Sequence, residues 1–117
     1  MGHLTTHVLD TARGQPAAGL QLALYRLGGE HRRKLGEYVT NADGRCDGPL
    51  LEGASFRAGL YELEFRAGDY FVAQGLALPE PKFLDLIVLR FGIADPASHY
   101  HVPLLCSPWS YSTYRGS

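Results

Sequence analysis

Three histidines and one arginine stand where proton transfer and anion binding could be carried out. In His99-Tyr100-His101-Val102-Pro103-Leu104-Leu105, side chains alternate along a strand. Tyr100, Val102 and Leu104 therefore share one face, and His99, His101 and Pro103 the other. The first set is the better core face, which leaves two imidazoles on an outer face that core packing does not explain. The first strand repeats the pattern, with Leu4, Thr6 and Val8 inside and Thr5, His7 and Leu9 outside. Histidine has an unperturbed pKa of about 6.5, which suits it to general acid–base work near neutrality. The plainer reading is solvated surface histidines, with His7 either exposed or buried against another subunit. Arg45 follows the Asp43-Gly44 turn; its fixed charge and planar donor fork matter only with an anion or oxyanion beside it. The chain end, Ser110-Tyr111-Ser112-Thr113-Tyr114-Arg115-Gly116-Ser117, carries aromatic weight where termini are usually frayed and polar. It reads as a docked end or a simple edge strand.

Other chemistries find no footing. There is no Gly-x-Ser-x-Gly elbow, phosphate loop or dinucleotide fingerprint. His7, His99 and His101 could form a three-histidine zinc set, but no carboxylate stands out to orient such ligands, and neither metal nor cofactor is expected. Eleven basic and twelve acidic residues give a net charge of −1, which argues against a nucleic-acid partner. The one tight basic run, His31-Arg32-Arg33-Lys34, reads as a solvated turn. The two cysteines, Cys46 and Cys106, are too few for a disulfide scaffold and lie in no metal or redox spacing. No signal peptide and no apolar run of about 18 residues is evident. The expectation is a cytoplasmic protein with no membrane partner.

These residues must be positioned by strands. Short alternating runs separated by Gly, Pro, Asn and Asp predict an all-β sandwich. Strands are expected at Leu4–Leu9, Leu20–Leu27, Lys34–Thr40, Leu60–Arg66, Leu84–Phe91, His99–Leu105 and Ser110–Tyr114, with a brief edge strand near Pro49 and Gly53. Leu84–Phe91 is almost continuously apolar and predicts a strand covered on both faces. One short helix is expected at Tyr70–Gln74, capped by Asp69 and ended by Gly75. With no repeat or linker, residues 1–117 are expected to form a single domain. At this length only about two-thirds of the unfolded surface is buried, so a site on the surface or between subunits is favoured over a deep cleft.

Four separated segments resemble one family, the 5-hydroxyisourate hydrolases or transthyretin-related proteins. They are His7-Val8-Leu9-Asp10, Asn41-Ala42-Asp43-Gly44-Arg45, His99-Tyr100-His101-Val102-Pro103-Leu104-Leu105 and the terminal Tyr114-Arg115-Gly116-Ser117. The last resembles the signature that separates these hydrolases from transthyretin itself. Leu78-Pro79-Glu80-Pro81 departs from the family, whose members often carry an aromatic before the Pro-Glu. The resemblance implies a transthyretin-like sandwich of two four-stranded sheets with one short helix after the fifth strand. It also implies a homotetramer, a dimer of dimers, with sites at the dimer–dimer interface. The implied reaction is hydrolysis of 5-hydroxyisourate to 2-oxo-4-hydroxy-4-carboxy-5-ureidoimidazoline in urate degradation. The implied catalytic residues are His7, His101 and Ser117, and the implied substrate-binding residues Arg45, Tyr114 and Arg115, with His99 a weaker candidate. Which histidine serves as base stays open. The alternative is a non-catalytic, transthyretin-type small-molecule binding protein.

Overall fold

The structure, a computed structural model, describes residues 2–117. Turn residues cut the chain into short extended pieces. The first are β1 (His3–Thr5), β2 (Val8–Asp10) and β3 (Gln15–Pro16), followed by the long hairpin of β4 (Gln21–Gly28) and β5 (His31–Val39). Then come β6 (Leu51–Glu52), a 3-10 turn at Gly53–Ser55, β7 (Gly59–Arg66) and helix α1 (Ala67–Ala73). The chain finishes with β8 (Leu86–Ile93), β9 (Tyr100–His101), β10 (Leu104–Cys106) and β11 (Tyr111–Ser112). No helix among the described residues is long and apolar enough to cross a membrane.

One layer is a regular antiparallel sheet in the order β5-β4-β7-β8. Its inner face is the alternate apolar set: Leu22 and Leu24 of β4, Tyr61, Leu63 and Phe65 of β7, and Ile87 and Leu89 of β8, all buried. Two expectations are corrected in this sheet. His31–Lys34 is not a turn but the start of β5, because a two-residue turn with Gly29 at φ 57° closes the hairpin at once. There Arg32 donates to Glu62 at 2.9 Å and Glu64 at 2.8 Å, so the run supplies cross-strand ion pairs. β8 is not covered on both faces either. It lies at the sheet edge, and Leu86 and Val88 are 48% and 40% exposed, so among the described residues its outer face stays largely open.

The opposing layer is hydrogen-bonded as two pieces, β6-β1-β9 and β11-β10-β2-β3. The described residues thus form three sheets rather than two of four strands. Each of the strands expected at Leu4–Leu9 and His99–Leu105 is split in two, and that at Ser110–Tyr114 shrinks to β11. The register nevertheless carries through: Leu4 lies opposite Tyr100 and Val8 opposite Leu104, both in parallel pairs with the same chain offset. Val102 N donates to Thr5 O and Leu104 N to His7 O, both at 2.9 Å, across the gap. At the break Val102 O accepts from the Thr6 hydroxyl at 2.6 Å rather than from a backbone N–H of the first strand.

Helix α1 follows β7 directly and begins three residues before the expected start. Asp69 sits in its first turn instead of capping it; burial of Ala67, Tyr70 and Phe71 against the core fixes the helix where no side-chain cap does. The helix is tied to the end of β2 through Asp10, which is fully buried and accepts from the Tyr70 hydroxyl at 2.9 Å and from Arg13 N at 3.0 Å. Burial, with the bond to Asp10 and its charge, pushes the Tyr70 hydroxyl up to about 12. Tyr70→Phe should therefore cost about 1.5–3 kcal/mol, the scale of a lost hydrogen bond to a charged group. Urea unfolding measures this, and an unchanged midpoint would show that Asp10 is satisfied without Tyr70.

Candidate active site

Parity and register together bring the histidines into contact. His7 lies between β1 and β2 and His101 ends β9, and their side chains project from the same face of the paired strands. His7 Nδ1 is 2.7 Å from His101 Nε2, with the two rings nearly parallel at 21° and their centroids 4.9 Å apart. His101 Nδ1 is 2.8 Å from Thr5 Oγ1. Both ring nitrogens of His101 are therefore engaged, whereas His7 Nε2 has no hydrogen-bond partner among the described residues.

Arg45 is delivered to this pair by a turn. Asn41 Oδ1 accepts from Asp43 N at 2.9 Å and Arg45 N at 3.2 Å, and Asn41 O accepts from Gly44 N at 2.9 Å. Gly44 has φ 75°, and a Cβ there would lie 2.5 Å from Val8 O, so only glycine lets the turn close onto β2. Val8 N donates to Gly44 O at 2.8 Å, and Arg45 forms an isolated bridge with His7. The Arg45 side chain is exposed and takes no ion-pair partner among the described residues.

The chain end docks on His101. Gly116 N donates to His101 O at 2.7 Å, and His101 N donates to Gly116 O at 3.1 Å. Ser117, the next residue, is exposed. Tyr114 and Arg115 turn elsewhere. The Arg115 guanidinium donates to His99 O at 3.1 Å and lies 4.3 Å from the centre of the Tyr100 ring, on the core-facing side of the strand. Both residues line a groove of about 470 Å³ against β8 that does not reach His7 or His101. His99 also stays apart, its ring centroid 3.3 Å from that of His3. The three-histidine zinc set is not assembled, and no group of three ligating side chains suited to a metal occurs among the described residues.

Burial lowers the pKa of both imidazoles below 6.5, and the Arg45 charge lowers each further, with His7 adding to the effect on His101. Both rings are neutral at pH 7, as a base must be. Because the unfolded chain protonates more readily, the stability these rings contribute is present above pH 6.5 and lost as pH falls through their depressed values. Arg45→Gln removes one cause of the depression. The acidic limb of its pH–rate profile should move to higher pH; a limb that stayed in place would mean that Arg45 does not act on the pair.

The family model described as "HIUase/Transthyretin family" matches residues 4–116. The chain belongs to the HIUase/transthyretin family. Among its relatives in this family, 5-hydroxyisourate hydrolase 2 of Rhizobium meliloti (strain 1021) is 65% identical over 116 residues, covering 99% of this chain and 97% of that protein. Among solved structures, an (S)-allantoin synthase superposes with a TM-score of 0.94 at 53% identity, covering 99% of this chain but only 44% of that one. Sea bream transthyretin in complex with thyroxine superposes with a TM-score of 0.85 at 29% identity, covering 97% and 93% of the two chains. The match of the HIUase/transthyretin model takes in His7, Arg45, His101, Tyr114 and Arg115 and stops one residue short of Ser117.

Of the residues expected at the site, His7, Arg45 and His101 come together, Ser117 follows the Gly116 that pairs with His101, and Tyr114, Arg115 and His99 do not join them within one chain. Sequence reasoning missed Thr5 and the backbone of Gly116. Thr5 carried a signal, since it shares the outer face with His7 two positions away.

Proposed function

We propose that the chain hydrolyses 5-hydroxyisourate, opening its six-membered ring at an amide-type C–N bond. The observation that carries the reading is the hydrogen-bonded, neutral His7–His101 pair with an unpaired Arg45 beside it. His101 has both nitrogens engaged, which supports His7 Nε2 as the base for water. Water's oxygen bonds to the carbonyl carbon while its proton passes to His7; the C–N bond then breaks, and His7 returns the proton to the departing nitrogen. Arg45 pairs with the urate-like anion and steadies the oxyanion. Ser117 positions water or a histidine through its hydroxyl or terminal carboxylate. Arg115, which the resemblance assigned to substrate together with Tyr114, is better read as holding the tail, given its contacts with His99 and Tyr100, whereas Tyr114 keeps its expected substrate role.

The proposal extends to a single domain over residues 1–117, working in the cytoplasm as a homotetramer with sites between dimers. The bare outer face of the edge strand β8 and the position of His7 and His101 on an outer face support the assembly. Joined through their continuous register, β1–β2 and β9–β10 count as single strands between β6 and β11. That count gives two four-stranded layers with the helix after the fifth strand, β3 being a two-residue appendage.

The test is spectrophotometric. 5-Hydroxyisourate generated in place from urate and urate oxidase should disappear faster with the protein present than by spontaneous decay. No acceleration would sink the enzymatic reading and leave that of a transthyretin-type carrier.

A further inference from the structure

We propose that Thr5 is a positioning residue, whose hydroxyl holds the His101 ring against His7 whichever ring nitrogens of the neutral pair carry the hydrogens. The proposal rests on reading this pair as the hydrolytic centre. Thr5 and His101 are opposite one another in the β1–β9 ladder, and a single line runs from Thr5 Oγ1 to His101 Nδ1 (2.8 Å), then from His101 Nε2 to His7 Nδ1 (2.7 Å). It ends at the unpartnered His7 Nε2.

With two neutral rings, this line holds its protons in one of two orders. In the first, His7 Nδ1 donates to His101 Nε2, His101 Nδ1 donates to Thr5 Oγ1, and His7 Nε2 carries a lone pair. In the second, the Thr5 hydroxyl donates to His101 Nδ1, His101 Nε2 donates to His7 Nδ1, and His7 Nε2 carries the hydrogen. A hydroxyl accepts and donates and can rotate between the two, so Thr5 satisfies His101 in both orders. A carboxylate or carbonyl oxygen in its place would fix the first order alone. An aliphatic side chain would support neither and would leave His101 Nδ1 unpaired in a half-buried position.

Ring opening starts from the first order, in which His7 Nε2 accepts water's proton. The pair carries that one extra proton while His101 Nδ1 goes on donating to Thr5 Oγ1. His7 Nε2 then returns the proton to the departing nitrogen, which restores the first order. Thr5 itself never ionises; it holds the His101 ring aimed at His7 while the extra proton is taken up and given back. The adjacent Thr6 makes a useful contrast, being buried and giving its hydroxyl to Val102 O at 2.6 Å with no ring contact. Around Thr5 lies a cavity of about 350 Å³, lined also by His3, Arg45, Cys46 and Asp47. None of these is hydrogen-bonded to the Thr5 hydroxyl among the described residues.

Thr5→Val and Thr5→Ser in the full chain separate a hydroxyl effect from a packing effect. Thr5→Val should lower kcat about tenfold or more with KM within about twofold, the scale seen when a functional histidine loses its outer partner. Thr5→Ser should restore kcat to within about twofold of the parent. Nitrogen NMR of labelled histidine should show the His101 Nδ1 signal displaced in Thr5→Val and recovered in Thr5→Ser. Full turnover in Thr5→Val, or equal losses in the two variants, would overturn the proposal. If Thr5→Val fails to fold, the unsubstituted protein decides: an Nδ1 signal of His101 with no hydrogen-bonded character refutes the positioning role. The NMR readout needs no substrate, so failure of the hydrolase reading would show in the 5-hydroxyisourate assay instead.

Discussion

Replacing His7 by asparagine is expected to lower kcat by about a thousandfold, within the 10²–10⁴ range for removal of a general base. The variant should still bind substrate, because Arg45 reaches the site from its own turn, anchored by Asn41 and not by the imidazole. KM should therefore change little while kcat collapses, the pattern of an interaction needed in the transition state and not in the ground state. His101→Asn is expected to cost less, about tenfold to a hundredfold, since its ring orients His7 and has no nitrogen left for water. Folding should survive in both. His7 and His101 are half-buried, and the ring–ring hydrogen bond removed contributes about 0.5–1.5 kcal/mol. The acidic limb of the parent's pH–rate profile should also be lost in His7→Asn, since that limb reports protonation of the base. Steady-state kinetics of the two variants decide the roles: a larger kcat loss in His101→Asn would exchange them.

The site was partly legible before any coordinates because strand parity is local. Two-residue periodicity places His7 and His101 on outer faces, and the Asp43-Gly44 pair announces the turn before Arg45. Parity gives a face but not a partner across the ladder. That Thr5 meets His101 depends on a pairing between residues 96 positions apart, and no pattern within either segment specifies it. Arg115 illustrates the same limit. Its place in the tail signature said nothing about which side of the strand its guanidinium would take, and the Tyr100 ring and His99 carbonyl drew it away from His101. The fold divides likewise. The β4–β5 hairpin and β7 could be read from alternation and turn residues, because each is a continuous run with one buried face. β8 could not, because a wholly apolar strand predicts cover on both faces without saying whether the cover comes from this chain or another. The split of the second layer escaped because it turns on one acceptor, Val102 O, which takes the Thr6 hydroxyl, a choice between donors that no pattern within either segment specifies.

Deleting Gly116 and Ser117 is the second large effect, and it should separate catalysis from folding. Two backbone hydrogen bonds link Gly116 to His101, at 2.7 and 3.1 Å, and they are what the deletion removes from the described structure. At about 1 kcal/mol each, and at a chain end, their loss should lower stability by no more than about 1–3 kcal/mol. No member of the buried core lies within the deleted pair. The effect on His101 is direct, because its own N–H and C=O are the partners lost and its ring must hold both the Thr5 and His7 contacts. A misplacement of about 1 Å in such a group costs about a hundredfold, so kcat should fall by about that much or more. The deletion also moves the terminal carboxylate next to Arg115, so two further variants isolate the cause. Ser117→Ala keeps the brace and the carboxylate and removes only the hydroxyl. Gly116→Ala keeps the chain length, but its Cβ would lie 3.1 Å from His101 Cβ and 3.3 Å from Cδ2, pressing on the ring. If the tail acts by bracing His101, Gly116→Ala should lower kcat about tenfold or more while Ser117→Ala leaves it nearly unchanged. If the Ser117 hydroxyl is the group that positions water, the order reverses. A deletion variant that unfolded in step with its loss of activity would reduce the tail to a structural clasp.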